Sequence, residues 1–297
     1  MSKEVAFTAS ALLASARASN KFLGAKAGQQ WSLFLPLTHI AAVNVIIRSM
    51  ELGTLPIDLR EHQGEYPKVD FTSIVPTQLF RALNSDERLL RHLQSAQAVL
   101  VGGAALSPAL SQQAVTAGIN VVETYGMTET SGGCIYNGKA IEGVEYSLND
   151  KSLVQIRGSV MSETYLNAPE LYTLIDGWFI TNDLGEIKDG KLHILGRADD
   201  VIISGGENLS LTAIEATLSI RYPEIEFAAF AVNDIQWGHA LHLAVVGQIG
   251  ESEIDQYLEA ALGAASKPKG IHHLEQLPLL GIGKVDRSAL AKMVGNE

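Results

Sequence analysis

Cysteine is nearly absent from this sequence, since Cys134 is the only one among 297 residues. A single thiol cannot form an internal disulfide, so we expect a reducing compartment, the cytoplasm. Runs of about 18 or more apolar residues are also missing, which predicts that no helix spans a membrane. The start of the chain has no basic segment followed by an apolar one, so no secretory signal is expected.

Positive charge is scarce as well. Lys and Arg total 22 against 33 Asp and Glu, a formal net charge of −11. This balance argues against a general nucleic-acid surface or an anionic-membrane surface. It does not exclude a bound nucleotide, because backbone N–H groups and one or two cations can hold phosphates locally. A hydrophobic fraction of 46% and a charged fraction of 19% are typical of a folded globular protein.

Short apolar runs alternate with amphipathic stretches over the first 125 residues. The predicted strands are 31–35, 72–75, 98–101 and 119–123, and the predicted helices are 8–21, 39–52, 76–83 and 108–117. This alternation predicts an α/β domain with a mostly parallel sheet and helices on its faces. Such sheets place ligands at the carboxyl ends of their strands, where we expect two loops, 101–106 and 124–130.

The pattern changes near Gly143. Strands are predicted at 154–157, 178–181, 186–188 and 192–195, with turns at Asp176-Gly177 and Asp189-Gly190, which predicts a small β subdomain over about 143–196. Helices at 211–218 and 253–262 and strands at 226–232 and 241–246 then predict a separate α+β domain. We therefore expect an N-terminal domain over 1–198 and a C-terminal domain over 199–297.

Five polar or glycine-containing segments carry candidate chemistry: 125–130, 177–185, 196–202, 205–208 and 281–287. In the first, glycine allows close approach of the backbone, while two hydroxyls and a carboxylate can bind phosphate oxygens and a hard cation. In the second, Asp183 can hydrogen-bond a ribose diol. Each segment also has a plainer interpretation, namely a polar turn, a solvated acid, a salt-bridge cluster, a tight turn and a solvated lysine.

In their order and spacing, these segments resemble successive signature motifs of the acyl-adenylate-forming superfamily, which includes acyl-CoA synthetases and luciferases. Residues 36–39 and 102–104 are similar to two further motifs upstream. The resemblance runs from about Lys3 to the C-terminus. Within the superfamily, segments 35–41, 73–79, 101–106 and 124–136 most resemble the o-succinylbenzoate–CoA ligases of menaquinone biosynthesis.

This resemblance implies a ligase that uses ATP, Mg²⁺ and coenzyme A. An aryl carboxylic acid and ATP would give an acyl-adenylate and pyrophosphate, and CoA would then displace AMP. It also implies that the C-terminal domain is a mobile lid. Two alternatives remain open: a ligase for another aryl or acyl acid, and a truncated or degenerate non-catalytic paralogue that binds nucleotide or CoA. The oligomeric state is open too, with a homodimer as one alternative.

The same resemblance implies a role for each motif residue. The implied catalytic residues are Lys284 between carboxylate and α-phosphate, Thr128 on the phosphates, Glu129 on Mg²⁺, and His39 beside the acyl carboxylate and the thiol. Among the implied nucleotide-binding residues, Gly102, Gly103 and Tyr125 would flank the adenine and Asp183 and Arg197 would bind the ribose. Ala104 and Gly126 are also implied to bind the nucleotide. Gly205 and Gly206 would face CoA, and Asp199 would be the hinge. Such chemistry requires Mg²⁺ and a cation in place before charge develops.

The sequence departs from the superfamily pattern at two places. The superfamily has a Ser/Thr/Gly-rich phosphate loop ending in Pro-Lys, and this sequence begins at Ser2-Lys3, which is similar to the tail of that loop. The rest of that loop is not found in this sequence, which predicts weaker binding of the β- and γ-phosphates of ATP. Asn182 also stands where glycine is usual beside the ribose-binding acid.

Overall fold

The computed structural model of the chain describes residues 3–204, 206–234, 238–280 and 285–294. The chain is a mixed α/β protein that divides into two compact units. The first comprises Met1–Leu106, Ser111–Thr181 and Gly185–His193, and the second comprises Ser107–Leu110, Asn182–Leu184 and Ile194–Glu297. The domain bounds predicted above stay predictions.

A seven-stranded sheet lies at the centre of the first unit, in the order β3-β2-β4-β5-β6-β7-β8. The elements in this part are β1 Val5–Ala6, α1 Ala9–Phe22, β2 Trp31–Leu33, α2 Ile40–Glu51, β3 Ile57–Asp58, β4 Phe71–Ile74, α3 Pro76–Asn84, α4 Glu87–Ser95, β5 Ala98–Val101, α5 Pro108–Thr116, β6 Val121–Met127, β7 Gly132–Tyr136 and β8 Lys139–Ala140. The pairs from β3 to β6 are parallel, and β7 and β8 add antiparallel pairs. The predicted mostly parallel sheet is confirmed.

Strands of this sheet form because they are apolar enough to be covered on both faces. Every residue of β2, β4 and β5 is buried. One core cluster combines Trp31 and Phe71 of the sheet with Ala42 and Val45 of α2. The burial of these strands between helices fixes where their carboxyl ends emerge.

Capping side chains set the starts of three helices. Thr8 accepts a hydrogen bond from the Ala11 N–H at 3.1 Å, Asp86 from Leu89 at 3.0 Å, and Ser210 from Ala213 at 3.2 Å. Each satisfies one backbone donor that the first helical turn leaves unpaired. The helix that Asp86 caps, α4, is not among the predicted elements.

A small β subdomain follows the main sheet, as predicted. Its sheet contains β9 Val144–Leu148, β10 Leu153–Gly158, β12 Leu174–Ile175, β13 Trp178–Lys188 and β14 Lys191–Arg197. The short strand β11 Thr164–Tyr165 pairs with β1 instead. Both predicted turns have the positive φ angles that two-residue hairpins require: 51° and 79° at Asp176 and Gly177, and 52° and 69° at Asp189 and Gly190. The two predicted strands 178–181 and 186–188 are a single strand, β13, because Asn182 and Asp183 continue the extended backbone.

The second unit has an α+β architecture, in which helices accompany one sheet. Its elements are β15 Val201–Ser204, β16 Glu207–Ser210, α6 Leu211–Arg221, β17 Glu226–Asp234, β18 Gly238–Val246, α7 Glu251–Leu262, β19 Gly270–His273 and α8 Arg287–Val294. One core cluster contains Leu218 of α6 and Ile254 of α7, and a second contains Phe230 and Leu290 of α8. Across the residues that the structure describes, no helix has the length and apolar character needed to span a membrane.

Candidate active site

The carboxyl ends of three parallel strands meet at one edge of the main sheet. Ile74 of β4 pairs with Val101 of β5, which in turn pairs with Glu123 of β6. The Gly102 N–H donates to the Ile74 carbonyl at 3.2 Å, so the chain after β5 stays close to β4. The segments predicted to carry chemistry at this edge therefore begin side by side.

Glycine at 102 and 103 is required by two different constraints. A Cβ on Gly102 would lie 2.2 Å from the Thr124 Oγ1 and 2.9 Å from the Thr124 carbonyl oxygen, which no real side chain tolerates. Gly103 has a φ of 83°, a conformation that favours glycine. Gly103 and Ala104 are exposed, so their backbone is accessible to a ligand.

The segment Tyr125–Thr130 is only partly the loop that the sequence predicts. Tyr125, Gly126 and Met127 belong to β6, because β6 continues in antiparallel pairing with β7 as far as Met127 and Gly132. A register shift lies between Tyr125 and Gly126, and bulges of this kind redirect the following side chains. The loop prediction for 124–127 is therefore wrong, and the polar turn begins at Thr128.

Thr128 and Glu129 lie on a single 3₁₀ turn, Thr128–Thr130. The buried Thr130 holds that turn, since its hydroxyl donates to the Gly132 carbonyl at 2.7 Å and accepts from the Met127 N–H at 3.0 Å. The Thr128 side chain is exposed and Glu129 is half-buried. Both are thus presented from a fixed backbone.

Helices α1 and α2 support the turn from the core side. The Asn44 Nδ2 donates to the Ser131 carbonyl at 2.5 Å, and the Ser15 hydroxyl donates to the same oxygen at 3.1 Å. Ser131 itself has a φ of 51°, a left-handed conformation that is uncommon for serine. Two buried hydrogen bonds hold this residue in place at the end of the turn, two positions after the candidate metal ligand Glu129.

The carboxylate of Glu129 has a specific partner that sequence reasoning missed. The Tyr165 hydroxyl donates to the Glu129 Oε1 at 2.5 Å, and the Lys3 Nζ donates to the Tyr165 oxygen at 3.2 Å. Antiparallel pairing of β1 with β11 brings Lys3 and Tyr165 together. Burial, reinforced by the Glu129 carboxylate, raises the pKa of Tyr165, so the phenol remains a donor. A two-residue strand has no periodicity that could predict this contact.

Glu129 fits a magnesium ion that arrives with phosphates. In the described part of the chain, no group of three or more His, Cys, Asp or Glu residues could hold a metal ion. Mg²⁺ is commonly bound through one or two carboxylates together with substrate phosphates and water. A single oriented carboxylate beside an exposed hydroxyl matches that donor set.

His39 occupies the N-cap position of α2, directly after the segment that leaves β2. Its backbone is extended, with φ −117° and ψ 143°, and its half-buried side chain makes no capping hydrogen bond. The imidazole is therefore not used to stabilise the helix start. β2 lies next to β4 in the sheet, so its carboxyl end belongs to the same edge.

Asp183 and Arg197 are neighbours within the second unit. The Arg197 Nη1 lies 3.5 Å from the Asp183 Oδ1, with side-chain exposures of 47% and 11%. Asp183 lies inside β13 rather than after a strand, and it is buried, so the alternative of a solvated hairpin acid is wrong. A buried carboxylate beside a guanidinium can be held in one orientation for a ligand hydroxyl.

The remaining candidates lie in the C-terminal part of the chain. Gly206 is exposed in the turn between β15 and β16, with a φ of 88°. The backbone of Asp199 lies in a 3₁₀ turn, Ala198–Asp200. Gly205 and Lys284 fall outside the described residues, so their predicted roles rest on the sequence alone.

Comparisons with known proteins agree on one family. The family described as AMP-binding enzyme matches residues 1–164. A probable 2-succinylbenzoate–CoA ligase of Mycobacterium tuberculosis is 34% identical, over 99% of this chain and 82% of that protein. Wild-type Escherichia coli MenE, solved with an m-phenylether-linked analogue of OSB-AMS, is 26% identical with a TM-score of 0.73, over 99% of this chain and 69% of that one.

A third comparison concerns the fold alone. The o-succinylbenzoate coenzyme A synthetase of Bacillus subtilis, solved in complex with ATP and magnesium ion, is 23% identical with a TM-score of 0.79. The match covers 96% of this chain and 66% of that chain. The present chain thus spans about two thirds of the solved chains that it matches.

Proposed function

Since the chain belongs to the AMP-binding enzyme family, we propose that it is an AMP-forming acid–CoA ligase that acts on 2-succinylbenzoate. One observation carries the choice of acid: the identity of 34% to the Mycobacterium ligase extends over 99% of this chain. The substrates would be 2-succinylbenzoate, ATP and CoA. Small molecules of this kind usually bind in a concave pocket, and α/β sheets place such pockets at the carboxyl ends of their strands.

The proposed reaction has two steps. In the first, the acid's carboxylate oxygen attacks the α-phosphorus of ATP, and the bond to pyrophosphate breaks, which gives the acyl-adenylate. In the second, the CoA thiol attacks the acyl carbon and AMP leaves as the thioester forms. Magnesium, when bound, would neutralise phosphate charge. Cys134 is not the thiol nucleophile, because it is fully buried and burial raises its pKa to about 12.

In the first unit, we assign phosphate contacts to Thr128 and the metal carboxylate to Glu129. The fixed 3₁₀ turn supports these roles, because preorganised groups stabilise developing charge without rearranging. Gly102, Gly103 and Tyr125 would border the adenine, and Ala104 and Gly126 would belong to the same nucleotide site. His39 would lie near the acyl carboxylate and the entering thiol.

In the second unit, the Asp183–Arg197 pair would hydrogen-bond the ribose diol. Lys284 would contact both the carboxylate and the α-phosphate, since a mobile ammonium can reach two oxygens. Gly205 and Gly206 would lie along the CoA path. The cytoplasm is the proposed compartment, and the single free thiol supports it.

The decisive experiment measures thioester formation. Incubation with 2-succinylbenzoate, ATP, Mg²⁺ and CoA should yield the CoA thioester with equal amounts of AMP and pyrophosphate. Glu129→Gln should lower the rate by about 100-fold or more, as loss of one preorganised charge-stabilising group does. Glu142→Gln, which removes only an exposed ion pair to Lys21, should leave the rate unchanged.

Competing acids decide the substrate. Benzoate and octanoate should support thioester formation far less than 2-succinylbenzoate does. A clear preference for either would refute the acid while leaving the reaction class intact. Formation of ADP and phosphate in place of AMP and pyrophosphate would refute the reaction class itself.

A further inference from the structure

We propose that Tyr165 is a positioning residue that aims the carboxylate of Glu129 at the metal ion of the bound nucleotide. The inference rests on the proposed function in one respect, that Glu129 contacts Mg²⁺ delivered with ATP. It adds a residue that lies 36 positions away in sequence.

Two contacts from one segment fix Glu129. The Ser162 N–H donates to the Glu129 backbone carbonyl at 2.8 Å, and the Tyr165 hydroxyl donates to its carboxylate at 2.5 Å. The backbone and the side chain of Glu129 are thus both held by residues 162–165. A carboxylate on a freely rotating side chain would lose entropy when it engages a metal, and prior fixation removes that cost.

The environment of Tyr165 makes this contact rigid and strong. Tyr165 is 1% exposed, and its ring packs edge-on against Tyr172 with centroids 5.2 Å apart. The Lys3 ammonium donates to its oxygen and lies 4.4 Å from its ring centroid. A donor that itself receives a hydrogen bond from a cation is polarised, so its bond to the carboxylate strengthens.

Partners that orient a ligating side chain govern metal affinity, and their removal typically costs about 10- to 100-fold. Tyr165→Phe keeps the buried ring and removes only the hydroxyl. Tyr172 offers a matched control, because its hydroxyl donates to the Ser162 carbonyl at 2.5 Å rather than to Glu129. Tyr172→Phe therefore removes an equivalent tyrosine hydrogen bond from the same aromatic pair.

The test measures Mn²⁺ binding to the protein–ATP complex by electron paramagnetic resonance. Neither acid substrate nor CoA is present. Tyr165→Phe should weaken Mn²⁺ binding by about 10-fold or more. Tyr172→Phe should leave it within about twofold, while the two thermal midpoints fall by similar amounts. ATP affinity in the absence of a divalent ion should be the same in all three proteins.

Unchanged or tighter Mn²⁺ binding in Tyr165→Phe would overturn the proposal, as would equal weakening in both variants. Absence of metal-dependent ATP binding in the unmodified chain would overturn it too. The proposed function fails separately: metal-dependent ATP binding that responds to Tyr165→Phe, with no thioester formed from 2-succinylbenzoate, would leave the positioning role standing.

Discussion

Two glycines face each other across β6 and β7, and they differ in how a side chain would fit. A Cβ on Gly126 would lie 2.2 Å from the Gly132 carbonyl oxygen and 2.7 Å from the Gly133 Cα, both backbone atoms. A Cβ on Gly133 would meet side-chain atoms, the Tyr136 ring at 3.0 Å and the Thr124 Cβ at 3.3 Å. Side chains can shift by tenths of an ångström, whereas the paired backbone cannot.

Gly126→Ala should therefore lower the free energy of unfolding by about 1–3 kcal/mol, the usual cost of overpacking. It should also weaken ATP binding, because the shifted strand leads directly into the turn that presents Thr128 and Glu129. Gly133→Ala should cost less than about 1 kcal/mol. Urea unfolding of both variants measures the difference, and a larger loss for Gly133→Ala would contradict the explanation.

Among the elements of the second unit, one ion pair ties α6, β17 and α8 together. The Arg287 Nη2 donates to both Glu215 carboxylate oxygens at 2.8 and 2.9 Å, and its Nε donates to the Ala229 carbonyl at 2.9 Å. Glu215 in turn accepts from the Ala229 N–H at 2.9 Å. Burial raises the pKa of Glu215, and the nearby Arg287 opposes that shift.

Arg287→Ala should destabilise this unit by about 2–3 kcal/mol, between the costs for exposed pairs and for fully buried pairs. The side-chain exposures of 31% and 22% justify an intermediate value. Lys267→Ala is the control, because its pair with Glu259 is exposed at 39% and 46% and should contribute at most about 1 kcal/mol.

The loss of stability caused by Arg287→Ala should depend on pH. Without the guanidinium, the folded pKa of Glu215 rises further above its unfolded value of about 4.3. The folded state then binds more protons than the unfolded state, so stability falls as pH rises through that window. Chemical denaturation of the variant and the unmodified protein should show a larger loss of stability at pH 8 than at pH 5. A larger loss at pH 5 would contradict the explanation that burial raises the pKa of Glu215.

Elements with clear periodicity could be predicted from the sequence, and elements without it could not. The bounds of β5 were predicted to the residue, and α1, α2 and α3 to within about one residue. α4 was missed although Asp86 signals its start, because the helix is short and mostly polar. β13 was split in prediction because Asn182 and Asp183 interrupt its apolar alternation, yet Asp183 is buried there.

The candidate site shows the same limit. Glycine and hydroxyl residues at 102, 103 and 128–130 could be located from the sequence, because the carboxyl ends of parallel strands collect such groups. The support from Asn44, Ser15 and Tyr165 could not, because long-range hydrogen bonds leave no local pattern. Those contacts decide how Glu129 is oriented.

At the scale of the whole molecule, residues of the second unit have two proposed tasks, one in each step of the reaction. Lys284 is assigned to adenylate formation and Gly205-Gly206 to the entry of CoA, which belongs to the second step. Both segments follow Asp199 in the chain. The two steps take place at different atoms, first the α-phosphorus and then the acyl carbon, so a rotation between the steps is a simpler hypothesis than one fixed placement. Asp199 lies in the short 3₁₀ turn Ala198–Asp200. A change of backbone angles at this one position would reorient the chain that follows it.

The two half-reactions should separate in two variants if Asp199 is that hinge. Lys284→Ala should reduce acid-dependent ATP–pyrophosphate exchange strongly and spare thioester formation from preformed acyl-adenylate and CoA. Asp199→Pro, which restricts φ to about −65°, should do the reverse, because the fixed turn keeps the first arrangement and hinders the second. Asp200→Ala, a neighbouring change that leaves φ free, should affect neither step by more than about twofold, and thermal unfolding should show that all three variants are folded. Equal loss of both half-reactions in Lys284→Ala and in Asp199→Pro would argue for one fixed arrangement of the active site, since a residue used in a single step cannot slow the other.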